Sequence, residues 1–298
     1  VTVHAGTGEV IPARVYLFKG GKPFRLSPVE SLLPLRPDLF YRERLWRRES
    51  QPKTLEVTAS DMSHLILLTG RGQFDLPRSR TDIGETYRLE AYRGMFFGPA
   101  ISEFTLETGE EKQVKLELQP IAPGHQEEWL SGDDHIHLMR AREDNDIFLG
   151  WLAAEDLSVA NFLELQRQQH AAVQYAFGRD GEARAAGYSI RSGHESRSIF
   201  YGHTLFLGPD RMVGPLSVGE VYGNSPEAYP FPTLLFTEAR KLNATVGFAH
   251  FYGSQPHSTL ILNLVWNTID FVELFQFGKL HAEDWYQLLN AAFRVVGN

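Results

Sequence analysis

No cysteine occurs in the chain, which excludes disulfides and thiolate ligands, so any metal must sit on His, Asp and Glu. No run approaches the roughly 18 consecutive apolar residues that a membrane helix needs, and no signal peptide or lipidation motif is visible. Internal repeats and low-complexity segments are absent as well. The sequence therefore reads as a soluble globular chain without a membrane partner. It begins at Val1 rather than Met, which reads as a processed or trimmed terminus and suits an exported protein. A hydrophobic content of 43% with 22% charged residues is ordinary for a chain with a sizeable core. Its 298 residues allow two domains at about 100–200 residues each.

An overall excess of positive charge is also missing: the formal net charge is −8. Residues 1–125 are nearly balanced, with 17 basic and 16 acidic side chains, whereas residues 126–298 carry 12 and 21. Nine of the eleven histidines lie at or after His125. An acidic, histidine-rich half suits a cation site and argues against a nucleic-acid partner. The one basic, aromatic run, Arg42 to Arg48, is interleaved with Glu43 and flanked by Glu49, and reads as a solvated, partly packed segment.

Residues 1–122 read as β-rich. Thr2–His4, Ala13–Phe18, the alternating stretch Gly84–Gly94, Ile101–Leu106 and Glu111–Leu118 are strand-like, separated by Gly and Pro turn signals. Short strands with regular turns predict an N-terminal β-sandwich. Residues 27–80 stand out as an insertion, Pro-rich at first, then charged, then strand-like over 63–69. Pro120 to Gly124 is the linker, and a second domain spans 126–298. There Trp151–Gln169 fits a strand passing into a helix, and His203–Leu207, Ala244–His250 and Ile269–Phe275 fit strands. Pro232 starts a helix over 233–242, and Ala282–Phe293 is a further helix. Strands alternating with helices predict an α/β domain, barrel or layered.

The chemistry concentrates in that second half. Gly132-Asp133-Asp134-His135-Ile136-His137 places two imidazoles at i and i+2, on one face of a strand, where both can reach one point. Asp133 and Asp134 are placed to orient them, since metal-bound histidines usually donate their second N–H to a carboxylate or carbonyl. Gly193-His194-Glu195 precedes Tyr201-Gly202-His203, a carboxylate and an imidazole around a short turn. His250 closes a buried strand, and Glu273 lies in the next. Polar groups at successive strand ends are the usual active-site residues of α/β barrels.

This ordered set resembles the CehA/McbA-type metallohydrolases of the PHP superfamily. The resemblance rests on Gly-Asp-Asp-His-Ile-His, Ala-Glu-Asp-Leu at 154–157, Gly-His-Glu-Ser-Arg with Tyr-Gly-His, Ala-His at 249–250 and Val-Glu-Leu-Phe at 272–275. Residues 9–17 are similar to the start of the β-sandwich that often precedes that domain. The resemblance implies a mixed fold, a β-sandwich followed by a distorted (β/α)7 barrel. It also implies divalent ions, zinc foremost with manganese or iron as alternatives, and hydrolysis of a phosphoester, ester or carbamate by metal-activated water. By carry-over, His135, His137, Glu195, His203 and His250 are the metal ligands, with Glu195 bridging two ions. Asp133, Asp134 and Glu273 support them, and His194 is the candidate general acid. The substrate is then a small or phosphorylated molecule.

Two departures bear on this. Where the family usually carries Thr-Asp-His, the chain reads Asn161-Phe162-Leu163-Glu164. The late Asp motif would begin where the chain stops, at Val296-Gly297-Asn298, so the barrel reads as incomplete and the chain as a fragment. Two rival readings follow: a degenerate PHP-like domain that binds metal or ligand without turnover, and a β-sandwich adhesion module carrying Trp46, Tyr92, Phe96 and Phe97.

Overall fold

The computed structural model describes residues 1–24, 32–37, 44–48, 51–58, 63–76, 85–121, 129–166, 176–198, 200–215, 226, 229–251, 259–276 and 279–298. The fold is mixed α/β and mostly strands. It divides into two compact units, Val1–Asp133 with Glu143–Ala160 and Arg184–Ser189, and Asp134–Arg142 with Asn161–Ala183 and Ile190–Asn298. Among the described residues, no helix is long and apolar enough to cross a membrane.

In the first unit, β1 (Thr2–Ala5) pairs in parallel with β10 (Lys115–Leu118). The other strands, β2 (Ala13–Lys19), β3 (Lys22–Pro23), β4 (Leu32–Pro37), β5 (Arg44–Arg48), β6 (Gln51–Thr58), β7 (Ser63–Leu67), β8 (Tyr87–Tyr92) and β9 (Ala100–Phe104), share one sheet. Its order is β4-β5-β6-β7-β2-β8-β9, with β3 on β2. The run expected to be an insertion thus extends the same antiparallel sheet through β4–β7, and the charged stretch at 44–48 is itself a strand. Alternation sets the core: Ala13, Val15 and Leu17 of β2 are buried with Val3, Leu65, Leu67, Leu89, Leu116 and Leu118, while Arg14 and Tyr16 take the other face. The described strands form one large sheet and one two-stranded pair.

Helix α1 (Asn145–Glu155) folds with this first unit. Asp156 ends it in a left-handed conformation (φ 55°) and accepts Arg93 Nη2 at 2.9 Å, while Glu155 takes Arg14 at 3.2 Å. The stretch read as a strand passing into a helix is therefore the reverse, α1 followed by β12 (Val159–Gln166). The left-handed cap at Asp156 stops the helix, and the buried run Ala160–Leu163 that follows is strand.

Seven strands form the path of the second sheet: β11 (Gly132–Ile136), β12, β14 (Tyr188–Ser198), β15 (Gly202–Leu207), β16 (Thr245–Phe248), β17 (Phe271–Val272) and β20 (Val296–Gly297). The short β13 (Ala183–Ala185) pairs with β14, and β18 (Phe275–Gln276) with β19 (Lys279–Leu280) forms a separate hairpin. The last steps, β16·β17 and β17·β20, are parallel. The Asn298 side chain, just past β20, donates to Asp134 of β11, so the two ends of the path are bridged by a side-chain hydrogen bond. Helices α2 (Pro232–Lys241), α3 (Leu260–Val265) and α4 (Ala282–Asn290) supply Leu235, Phe236, Leu260, Leu264 and Leu288 to one face. There they pack on Phe206, Val246, Phe248 and Val272.

The opposite face has a small apolar floor of Leu163, Leu205, Ala249 and Phe271. Gly247 makes room for it, since a Cβ there would meet the Phe271 carbonyl and ring. Gly247→Ala is expected to lower unfolding free energy by about 1–3 kcal/mol through overpacking, read as a lower urea midpoint at unchanged slope.

Candidate metal centre

Alternation along the strands delivers the polar side chains to the floor's side of the sheet. On β14, Glu195 and Arg197 share a face, and Arg197 is paired with His203 of β15, so the three converge. His135 and His137 come from the end of β11. His250 follows β16 by two residues, next to Ala249 of the floor. Strict alternation would send its ring to the helix side with Phe248, but a φ of 56° turns it inward. Glu273 follows β17 directly.

Six side chains meet here, in three overlapping groups whose ligand atoms lie within 4.8 Å of one another: His135/His137/Glu195, Glu195/His203/His250 and His135/His250/Glu273. The Glu195 carboxylate is fully buried at the centre. Its Oε2 lies 2.9 Å from His137 Nε2 and 3.6 Å from His135 Nε2, which are themselves 3.0 Å apart. Its Oε1 lies 2.9 Å from His203 Nδ1 and 3.7 Å from His250 Nε2. Ligands about 2.0–2.1 Å from one tetrahedral zinc stand roughly 3.3 Å from each other, and these spacings bracket that value on both sides of the carboxylate. The cluster is thus able to hold a divalent metal. A further observation fits a cation. Glu195 Oε1 is buried without a well-angled hydrogen bond among the described residues. Such atoms are costly unless an ion or proton completes them.

The charge balance without an ion shows the same demand. Burial works against protonating His135, but the Glu195 and Glu273 carboxylates outweigh it and raise its pKa to about 10. Burial likewise opposes ionisation of Glu195, yet His135, His137 and His203 hold its carboxyl well below the usual range. His250 is pushed down to about 2, by burial first and with His135 and His203 adding, against the pull of Glu195. The two buried carboxylates thus hold a proton on His135 that a divalent cation can replace.

Comparison with known proteins adds a distant likeness only. No family model and no curated protein matches the chain. A solved structure from Bacteroides vulgatus, a two-domain protein containing a predicted PHP-like metal-dependent phosphoesterase, aligns over 56% of this chain at 13% identity with a TM-score of 0.37. The chain spans half, 50%, of that protein's length.

Of the residues singled out in the sequence, His135, His137, Glu195, His203, His250 and Glu273 come together. Asp134 accepts the Asn298 side chain, and Asp133 is not among the residues of these groups. His194, the expected general acid, points to the other face of β14, paired with Phe206 and edge-on to its ring at 5.2 Å. It is fully buried, neither ring nitrogen has a hydrogen-bond partner among the described residues, and burial lowers its pKa to about 3. The alternation that brings Glu195 in sends His194 out. Replacing it with leucine is expected to leave metal content unchanged and to raise stability by about 1–3 kcal/mol, since two unpaired buried polar atoms are removed. Calorimetric unfolding with elemental analysis checks both. Glu155 and Asp156 serve the packing of α1 on the first sheet. Arg197 was missed: its Nε lies 3.0 Å from Glu195 Oε2. The signal was its position two residues beyond Glu195 on a strand, on the same face.

Proposed function

We propose that the chain is a metal-dependent hydrolase that works with two divalent ions, one on each side of Glu195. The observation that carries this reading is the division of the Glu195 oxygens, Oε2 towards His135 and His137, Oε1 towards His203 and His250. A bridging carboxylate with two imidazoles per side is a donor set suited to zinc, with manganese or iron as alternatives. A bound divalent ion lowers the pKa of its water from about 15.7 towards 7 and polarises a carbonyl or phosphoryl oxygen, so no Ser or Cys nucleophile is needed. The chain's own groups fix the positions: Glu195 sets the spacing of the two sites, and the four histidines present neutral nitrogen to them. Arg197 neutralises part of the carboxylate charge from the side at 3.0 Å.

The fold belongs to the same proposal: a β-sandwich domain over 1–122 and a PHP-like distorted barrel over 126–298. The seven-strand path and the Asp134–Asn298 bridge between its ends support the barrel. The substrate class, a phosphoester, ester or carbamate of a small or phosphorylated molecule, rests on the motif resemblance, as does the CehA/McbA subtype. No nucleic-acid or membrane partner is proposed.

The first experiment is elemental mass spectrometry of the purified protein beside a His135→Ala/His137→Ala variant. The expected result is at least one zinc, manganese or iron per chain, lost from the variant, together with metal-dependent cleavage of bis(p-nitrophenyl) phosphate or p-nitrophenyl acetate. Metal without turnover of either ester would favour the degenerate binding domain. No metal even after reconstitution would sink the hydrolase.

A second reading for the first unit is favoured by a cavity of about 660 Å³ against its sheet, lined by Phe74, Tyr87, Phe104, Leu17, Leu65 and Leu89. Its wall also carries Asp75, Glu107, Glu110, Glu111 and Lys112, and that size and mixed lining fit a small polar molecule or saccharide. Of the aromatics expected as an adhesion platform, Tyr92, Phe96 and Phe97 are half-buried, and the Trp46 side chain lies outside the described residues.

A further inference from the structure

We propose that Glu273 is a positioning residue that couples the two cation positions, by holding one histidine of each from behind. The inference rests on the two-position reading above and deepens it. His135 and His250 lie ring on ring, 4.9 Å apart and 22° from parallel. At one end of this stacked pair sits Glu195, with Oε2 3.6 Å from His135 Nε2 and Oε1 3.7 Å from His250 Nε2. At the other end sits Glu273, with Oε1 2.5 Å from His135 Nδ1 and Oε2 3.3 Å from His250 Nδ1. Two carboxylates therefore bracket two imidazoles, each with one oxygen near each ring.

Distance decides which carboxylate faces the ions. A separation of 2.5 Å is that of a short, charge-assisted hydrogen bond, well inside the roughly 3.3 Å between two ligands of one zinc. Glu273 is thus the acceptor of the His135 Nδ1–H rather than its fellow ligand. Accepting at Nδ1 fixes the His135 tautomer that leaves Nε2 free for a metal, whereas His250 is held through its backbone N–H, since its Nδ1 approaches Glu273 without hydrogen-bond geometry.

The backbone shows why this residue can do it. Glu273 N–H donates to Phe248 at 3.1 Å and its carbonyl accepts Phe251 N–H at 3.0 Å, which pins it on either side of His250. Its Oε2 also accepts the His250 backbone N–H at 2.7 Å. His250 holds a left-handed φ of 56°, a conformation a non-glycine residue keeps only when its surroundings impose it. Glu273 supplies that constraint on the main chain. Because the same carboxylate also orients His135, whatever disturbs it is felt at both positions.

The test uses the full chain stripped of metal and titrated with cobalt(II), followed by visible absorption and calorimetry. His137→Ala isolates the His203/His250 side, and His203→Ala isolates the His135/His137 side. Glu273→Gln is then added to each. Glutamine turns an NH2 towards one of the two donors, the His135 Nδ1–H and the His250 backbone N–H, and loses the carboxylate charge for the other, so cobalt affinity is expected to fall by roughly 10–100-fold in both backgrounds. Weakening in only one background, or in neither, overturns the proposal. A parent chain that binds no cobalt removes the two-position reading and this inference with it. A parent that binds two ions beside an unaffected Glu273→Gln removes the inference alone. Should the glutamine variant fail to fold by circular dichroism, 15N-histidine resonances of the zinc-loaded parent decide. His135 must be an Nδ1–H tautomer with Nε2 on the metal, and an Nε2–H tautomer there refutes the coupling.

Discussion

Glu195→Gln is expected to empty both metal positions and, in the metal-free protein, to cost about 3–5 kcal/mol of stability, the scale for removing one partner of a buried charge set. The carboxylate is fully buried, and His137, His203 and Arg197 approach it at 2.9, 2.9 and 3.0 Å. Glutamine keeps the volume, so the loss measures charge rather than packing. It also presents an NH2 where one pair of histidines needs an acceptor. The raised His135 pKa depends on this carboxylate, so the imidazole should titrate nearer its ordinary value in the variant. Urea unfolding of metal-free protein, elemental analysis and histidine NMR titration read the three consequences. A variant that keeps two ions per chain would mean that Glu195 does not bridge them.

Below pH 6.5 the metal-free protein is expected to lose stability steeply, by about 4 kcal/mol per pH unit between pH 5.5 and 4. Three imidazoles are held neutral: His64 at about 4, by burial and then Arg14; His194 at about 3, by burial; and His250 at about 2, by burial and neighbouring histidines. For each, the unfolded chain takes up a proton from about pH 6.5 downward while the folded chain does so only near its lowered pKa. Stability therefore falls as pH falls through that window, each group adding about 1.4 kcal/mol per unit. Glu195 adds to the loss at lower pH, because its depressed carboxyl stabilises the fold above 4.5 and gives this up as pH drops through its folded pKa. His135 acts in the opposite sense: its contribution is complete below 6.5 and disappears as pH rises towards 10. Together the three groups remove about 6 kcal/mol by pH 5 and about 10 by pH 4, so a fold of about 6–10 kcal/mol should unfold between these values. Unfolding free energy against pH checks this, and His194→Leu should reduce the slope by about one third. A flat profile from pH 7 to 4 would show that these rings are already solvated or paired.

Much of the site was legible because strand geometry is simple. His135 and His137 are two apart at the end of a strand, and that spacing alone brings their Nε2 atoms to 3.0 Å. The same rule applied to β14 selects Glu195 with Arg197 and excludes His194, yet adjacency in the motif suggested His194 for chemistry. His250 shows where the rule stops. Its inward turn depends on a left-handed backbone held by a hydrogen bond to a carboxylate 23 residues away. The strand-like stretches Ala13–Lys19 and Tyr87–Tyr92 were readable from alternation, whereas Arg44–Arg48 was not, since its charges mask a strand.

By itself the sequence determined the donor chemistry, His and carboxylate without thiolate, the concentration of that chemistry after residue 130, and which strands carry it. These are local properties of composition, alternation and spacing. Only the tertiary structure decided that Asp134 bonds to Asn298 and that Glu273, far along the chain, meets His135 at Nδ1. It also decided that Arg197 completes the Glu195 environment and that His194 is packed away on the helix-covered face. Those outcomes depend on which strands become neighbours and on single backbone torsions, and neither is encoded in any window short enough to read along the chain.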